Sequence, residues 1–437
     1  MKINFLFFSI FILIINKSHN LGIYRLPFKK RETHNKDKIV NIIKNELVTE
    51  ISIGSPGQKL PLTINLDTFS FYVAHTSITG DFPKFNLEKS STYKLINKYT
   101  YSIQPFFSGY HSNDTISFNN TNIPEFIFVL ADNLKYNSSG AIGLSPTAYH
   151  DHKINDCNII EQLKKKNLIK NYVFTINFTN ETEGEIIIGD YPSEYNRYYV
   201  EDDFIYMKAE MRAGNEFHWD LKFDGIYYKN TTSYLYINYA EFSTDIDIII
   251  GSNAFKESLD KDFFKEAIRE KQCFTAQINY EYQSLHYYYC NLNVNVSKIG
   301  NIEFKRKDWG VDYLFTPQEL FKIVDDYKYF LIFFINSDRS FYRWKLGRIF
   351  LHKVKTIVLD KDRKIMGRYT METNPEIKEK EKEDDSKKKK RIWIIVVILI
   401  SISIILGFYL NKLFTKLRRK KRLNEVIDDY DYTPVNK

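Results

Sequence analysis

Residues able to carry chemistry are sparse in this chain. Its nine histidines show no metal-ligand spacing, and His111, His150 and His152 read most simply as surface residues. No local motif orders a serine, a histidine and a carboxylate, or a cysteine and a histidine, as a nucleophilic hydrolase requires. Of three cysteines, Cys157 stands before a helical pattern, while Cys273 and Cys290 enclose a short loop. Carboxylates also stand at the ends of apolar runs. Asp67 closes Leu60–Leu66 and is followed by Thr68, Phe69 and Ser70; Asp245 and Asp247 follow Ser243 and Thr244 and lead into Ile248–Ile250. Two carboxylates held a few ångströms apart cannot both ionise, so one stays an acid while the other is a base, a combination suited to hydrolysis with no metal or cofactor.

Strands must position those groups. Tyr (32) and Phe (34) are abundant, which favours sheet over helix. Short β-rich runs separated by Gly, Asn, Asp and Ser turns extend from Asn45 to about Arg368. They include Leu47–Ile53, Leu60–Leu66, Phe126–Leu130, Tyr172–Phe178, Glu185–Ile188, Tyr234–Tyr239 and Thr356–Leu359. Helical spacing is confined to Asn158–Leu168 and Lys261–Glu270, with Pro317–Asp326 a short helix or turn. Tyr24–Lys38 is basic, without apolar periodicity. A chain of 437 residues exceeds one ordinary core, so the expectation is an all-β protein of two lobes.

Several segments, in order, resemble the pepsin-like aspartic proteases. Leu47–Asp67 (LVTEISIGSPGQKLPLTINLD) with Thr68-Phe69-Ser70 resembles the family's opening strands and Asp-Thr-Gly-Ser. Ser90–Tyr93 resembles the segment before the flap, Phe107–Ile116 the returning flap strand, and Ser139–Ser145 (SGAIGLS) the Asp-Gly-Ile-Leu-Gly-Leu-Gly segment. Gly184–Asp190, the Cys273/Cys290 pair and Trp344–Phe350 (WKLGRIF) continue the match through the second half. The resemblance covers about residues 46–370. It implies a bilobal pepsin-like fold with a few short helices, a disulfide between Cys273 and Cys290, and an interlobe cleft that takes an extended peptide. The expected lobes are 46–190 and 191–370, preceded by a segment 21–45 that is either prosegment-like or a plain linker. Cys157 is expected as a buried free thiol, an intermolecular bridge being the alternative.

In that family each lobe supplies one Asp, and the pair shares a proton. By resemblance Asp67 is the first of these, with Thr68 and Ser70 as supporting residues. Phe69 then replaces a Gly and would crowd the floor of the site. Counting from Ile249-Ile250-Gly251, Ser243 takes the place of the second Asp, beside Thr244, which with Thr68 would cross-link the lobes. A hydroxyl cannot share a proton as a carboxylate does, so the reading is a catalytically impaired or inactive homologue that binds a peptide or protein segment. The alternative is an active endopeptidase of an acidic compartment in which Asp245 or Asp247 substitutes as the second acid. A scaffold whose cleft is blocked by Phe69, Phe106 or Phe107 is a third possibility. The flap also departs from the family: Ser102, beside Tyr101, holds the place of its Tyr, Ile103–Phe106 replaces its Gly-rich turn, and Ala74 stands near its expected Trp.

The termini point to a membrane. Lys2 and the apolar run Phe5–Ile15 match a signal peptide over residues 1–20, an uncleaved anchor being the alternative. Glu372–Ser386 is a charged, core-free stretch within a stalk at 371–391. Ile392–Leu410 carries no charge and approaches the roughly 20 residues that span a bilayer. Lys416, Arg418, Arg419, Lys420, Lys421 and Arg422 then open a tail over 411–437, cytoplasmic if the signal is cleaved. The expected topology is therefore single-pass type I, in the secretory or endolysosomal pathway or at the cell surface. Beyond the expected signal peptide, seven Asn-x-Ser/Thr sequons, at Asn113, Asn119, Asn137, Asn177, Asn180, Asn230 and Asn295, suit a lumenal glycoprotein. Tyr432–Val435 fits a sorting motif. The +8 net charge clusters around the apolar segment, and no nucleic-acid-binding signature accompanies it.

Overall fold

The computed structural model describes residues 22–32, 36–44, 46–103, 106–118, 121–134, 138–146, 155–196, 199, 201–211, 217–228, 231–232, 239–280, 283–309, 312–336, 343–369, 406–407, 410–412 and 414–419. The chain divides into two compact units, 1–370 and 371–437. In the second, the described residues are helical and exposed. Among all described residues no helix is long and apolar enough to cross a membrane. The signal region, the stalk, residues 420–437 and nearly all of Ile392–Leu410 lie outside the described residues.

The first unit is built mainly of sheet. Among the described residues its largest sheet has thirteen strands. Within it Val173–Phe178 pairs with Glu183–Ile188 on one side and Thr356–Asp360 on the other. The closing segment of the chain thus joins the sheet of the N-terminal half. A ten-stranded sheet belongs to the C-terminal half, and a four-stranded one includes Gly225–Tyr228, Ile302–Lys305 and Tyr313–Phe315. Within the second half, Cys273 lies directly opposite Cys290 in the hairpin of Cys273–Tyr280 and Gln283–Asn291, and the two are disulfide-bonded.

One expectation is corrected near the N-terminus. Tyr24–Lys30 is a strand between Glu183–Ile188 and Leu47–Ile53. Tyr24, Leu26 and Phe28 face the core while Arg25 and Pro27 face out, a period of two that the basic residues obscure in the sequence. Helix Lys38–Ile43, capped by Asp37, then places Ile42 and Ile43 against Ile246, Ile248 and Ile250.

The expected helix at Asn158–Leu168 spans Ile159–Lys165, and the Asn158 side chain caps it by accepting from the Ile160 and Glu161 N–H groups. The one at Lys261–Glu270 begins earlier, with helical structure continuous from Asn253 to Arg269. Pro317–Leu320 is a single turn with a Thr316/Glu319 capping box, and Phe321–Val324 turns into a strand. Residues 234–238 of the run expected at Tyr234–Tyr239 lie outside the described residues; Tyr239–Phe242 is a strand.

Two units of the same topology position the site. In the N-terminal half, Gln58–Asn65 runs parallel to Gly140–Gly143. That strand is antiparallel to Tyr72–Ala74, which is parallel to Thr121–Leu134. In the C-terminal half, Tyr239–Phe242 runs parallel to Trp344–Leu346. The latter is antiparallel to Ile249–Gly251, which is parallel to Ile332–Ile335. Each unit presents one loop, residues 66–71 and 243–248, and both are held on two sides by central strands.

Candidate active site

Strand register decides which residues of the two loops correspond. With Ile142-Gly143 matched to Leu346-Gly347, Ile64 pairs with Ile142 as Phe242 pairs with Leu346. Independently, Tyr72 pairs with Ala141 as Ile250 pairs with Lys345. Both pairings equate Asn65 with Ser243, Leu66 with Thr244 and Asp67 with Asp245. The expectation that Asp67 and Ser243 are counterparts is therefore corrected by two residues, because register follows the flanking ladders and not the Asp-Thr dipeptide. A trace of this was present in the sequence: the shift brings the aromatic Tyr72 to the position where Ala74 seemed to replace a Trp.

The lobes are cross-linked from one side. Thr244 Oγ1 donates to the Ile64 carbonyl at 2.8 Å and accepts from the Leu66 N–H at 3.2 Å. Its counterpart Leu66 has no hydroxyl. Thr68, expected to make the reciprocal contact, is buried within its own loop, where its N–H donates to Asn65 Oδ1 at 2.9 Å. The same oxygen accepts from the Asp67 N–H at 2.7 Å.

Asp67 and Asp245 are both half-buried, whereas Asn65 and Ser243 are buried. The Ser243 hydroxyl stands between the carboxylates, 2.9 Å from Asp67 Oδ2 and in hydrogen-bond contact with Asp245 Oδ1. It has one proton to give. Both contacts are hydrogen bonds at once only when one carboxyl is protonated and donates back to the hydroxyl oxygen. Burial pushes the Asp67 carboxyl well above the usual carboxylate range, reinforced by the negative charges of Asp245 and Glu241. The Lys345 ammonium, 3.8 Å from Asp67 Oδ2, and the Ser243 hydrogen bond oppose that rise. Lys345 also lies 3.3 Å from Glu241, its register partner on the neighbouring strand. Sequence reasoning missed Asn65, Lys345 and Glu241; the last two meet only through long-range strand pairing.

The other expected residues are placed as follows. Asp247 is buried and ion-paired with Lys30 and Arg348, so of the two substitute acids Asp245 alone stands beside Asp67. Ser70 is buried, and the hydroxyl that Asp67 accepts from is that of Ser243. Phe69 does not crowd the floor: its ring packs in a core cluster with Tyr72, Phe107 and Val129. Its carbonyl accepts from Asn158 Nδ2 at 2.9 Å. Gly143 permits this close approach, since a Cβ there would come within 2.4 Å of the Phe69 carbonyl carbon.

The flap is a hairpin of Lys94–Ile103 and Phe106–Phe118 in which Tyr101 pairs with Ser108, Ser102 with Phe107 and Ile103 with Phe106. Its tip, 104–105, lies outside the described residues. Tyr101 is exposed, while Phe107 is buried and stacked on Tyr72 with centroids 4.3 Å apart. Phe107 therefore fills core and does not plug a cleft. His111, expected at the surface, is buried beside the free Cys157, with Nδ1 3.6 Å from Sγ; it points inward from the alternating flap strand. Burial pushes the Cys157 thiol up, away from reactivity. Among the described residues no cluster of three or more His, Cys, Asp or Glu side chains could hold a metal ion.

A family model described as eukaryotic aspartyl protease matches residues 46–367. A search among curated proteins finds no match.

Proposed function

The chain belongs to the eukaryotic aspartyl protease family, and from that membership we propose that it is a catalytically impaired member whose interlobe cleft binds an extended peptide or protein segment. The observation carrying this reading is the pair of residues at the corresponding loop positions. Ser243 precedes the cross-linking Thr244, as the family's Asp precedes its Thr, and its counterpart in the other loop is Asn65. An amide does not titrate and a hydroxyl ionises far above physiological pH, so neither can be the acid or base of a shared-proton pair. Backbone pairing in an extended conformation, with pockets for alternate side chains, supplies binding without cleavage.

A second reading has an observation of its own. Asp67 and Asp245 correspond to each other and meet across one hydroxyl, an acid pair displaced two residues along each loop. Such a pair supports a working endopeptidase of an acidic compartment.

Cleavage of a mixed peptide library by the purified full chain, from pH 3 to 7, separates the two. The first reading expects intact peptides with wild type, Asp67→Ala and Asp245→Ala alike, from protein that remains folded. Acid cleavage that disappears in both variants would overturn it in favour of the displaced pair.

The location belongs to the same proposal: a single-pass type I glycoprotein, its lobes lumenal or extracellular, anchored by Ile392–Leu410 and entering through the signal peptide at 1–20. The uncharged segment, its flanking Lys and Arg residues, the sequons and the Cys273–Cys290 bond, of a kind that persists in oxidising compartments, support it. Protease protection of the lobes, but not of the tail, in sealed microsomes is the expected result; protection of the tail would overturn the orientation.

A further inference from the structure

Asn65 combines burial with an unused donor. It is only 8% exposed. Its side-chain oxygen is committed twice, to the N–H groups of Asp67 and Thr68. This fixes the amide orientation, because the nitrogen of a planar carboxamide must then point away from those N–H groups. Among the described residues Nδ2 has no hydrogen-bond partner, and it is not among the side-chain atoms buried without one, so it is open to solvent and to a ligand.

Asp67, Asp245 and Glu241 offer oxygens, the one Ser243 proton lies between Asp67 and Asp245, and the Lys345 ammonium stands between Asp67 and Glu241. An extended peptide presents N–H and C=O groups in turn. Its N–H groups have carboxylates to meet; its C=O groups need a donor, and the Asn65 amide, at the end of the strand Gln58–Asn65, offers an uncommitted one.

We propose that Asn65 is the residue through which the floor of the cleft holds its ligand, its side-chain amide donating to a backbone carbonyl of the bound peptide. The inference rests on the peptide-binding reading above. It assigns the apex position a binding role where the family places an acid.

Asn65→Asp tests it with little change in shape. The aspartate keeps an oxygen for the Asp67 and Thr68 N–H groups but lacks a donor until it is protonated. The probe is a fluorescein-labelled pool of randomised decapeptides, read by anisotropy against the full chain from pH 4 to 7.5. At pH 7.5 Asn65→Asp should bind about tenfold more weakly than wild type. The deficit should close towards pH 4 as the new carboxyl gains a proton and can donate. Asn65→Ala, which adds no charge, should bind about tenfold more weakly at every pH. Equal binding by wild type and Asn65→Ala, or a deficit in Asn65→Asp that does not recover in acid, would overturn the inference. If wild type itself does not bind the pool, the peptide-binding reading falls, and the inference with it; binding by wild type that is indifferent to position 65 sinks the inference alone.

Discussion

The two loops at the centre of this molecule share one backbone frame and are stabilised by different chemistry. In the first, Asn65 caps its own loop, Phe69 turns into an apolar cluster, and Asn158 and Gly143 support the loop from below. In the second, Ser243 and Thr244 reach across to the other lobe, while Asp247, at the position corresponding to Phe69, is clamped by Lys30 and Arg348. The supports of the first loop thus come mainly from its own half. The second is coupled to the N-terminal strand through Lys30 and to the first loop through two hydroxyls. A shared topology dictates where a loop sits, but not whether burial or charge holds it there.

The largest test of that contrast compares Phe69→Ala with Asp247→Ala. Both should lower stability by about 3–5 kcal/mol in urea unfolding of the full chain, the first by leaving a cavity, the second by stranding two partly buried cations. The mechanisms separate in a double variant. Adding Lys30→Met to Asp247→Leu should recover part of the loss, since a buried pair replaced by apolar groups costs little. If Lys30→Met adds its own loss in full, the ion pair is not what holds the second loop.

How much of this the sequence discloses depends on the range of the interaction. The strand Leu47–Ile53 stands where its alternation places it, and Asn158 as an N-cap is a local signal. Tyr24–Lys30 carries an equally local alternation, but its three basic residues suggest a solvated arm. The site is less legible. Ser243, Thr244 and Asp245 are recognisable because an apolar-Gly step follows them closely. Asn65 is not, because its equivalence to Ser243 is set by pairing with Gly140–Gly143, far along the chain, and Asp67-Thr68 offers a tempting local match two residues away. Lys345 faces Glu241 only once two distant strands lie parallel. Dipeptide motifs report local identity, whereas the geometry of a two-lobed site is assembled from ladders.

A smaller effect probes the one-sided cross-link. Thr244→Val keeps the shape but leaves the Ile64 carbonyl and the Leu66 N–H without their partner, and should cost about 1–3 kcal/mol. At the corresponding position, Leu66→Val removes only apolar bulk and should cost about 1 kcal/mol. Equal losses at the two positions would mean that the cross-lobe hydrogen bonds contribute little.

The smallest effect is a slope with pH. Because the Asp67 carboxyl is raised in the fold, the folded chain binds a proton at Asp67 that the unfolded chain has released above its ordinary midpoint of about 3.9. The stability from that proton is fully present below the ordinary midpoint and is lost as pH rises through the raised one. Asp67→Asn, neutral throughout and still able to accept from Ser243, should therefore gain on wild type between pH 4 and pH 7. Lys345→Met, by removing the cation that opposes the rise, should steepen the wild-type loss, while the counterpart change Ala141→Met, on the other unit, should leave the slope unchanged. Unfolding midpoints of the four proteins at pH 4 and pH 7 measure this. A gap between wild type and Asp67→Asn that is the same at both pH values would mean that the first loop holds Asp67 as an ordinary surface carboxylate.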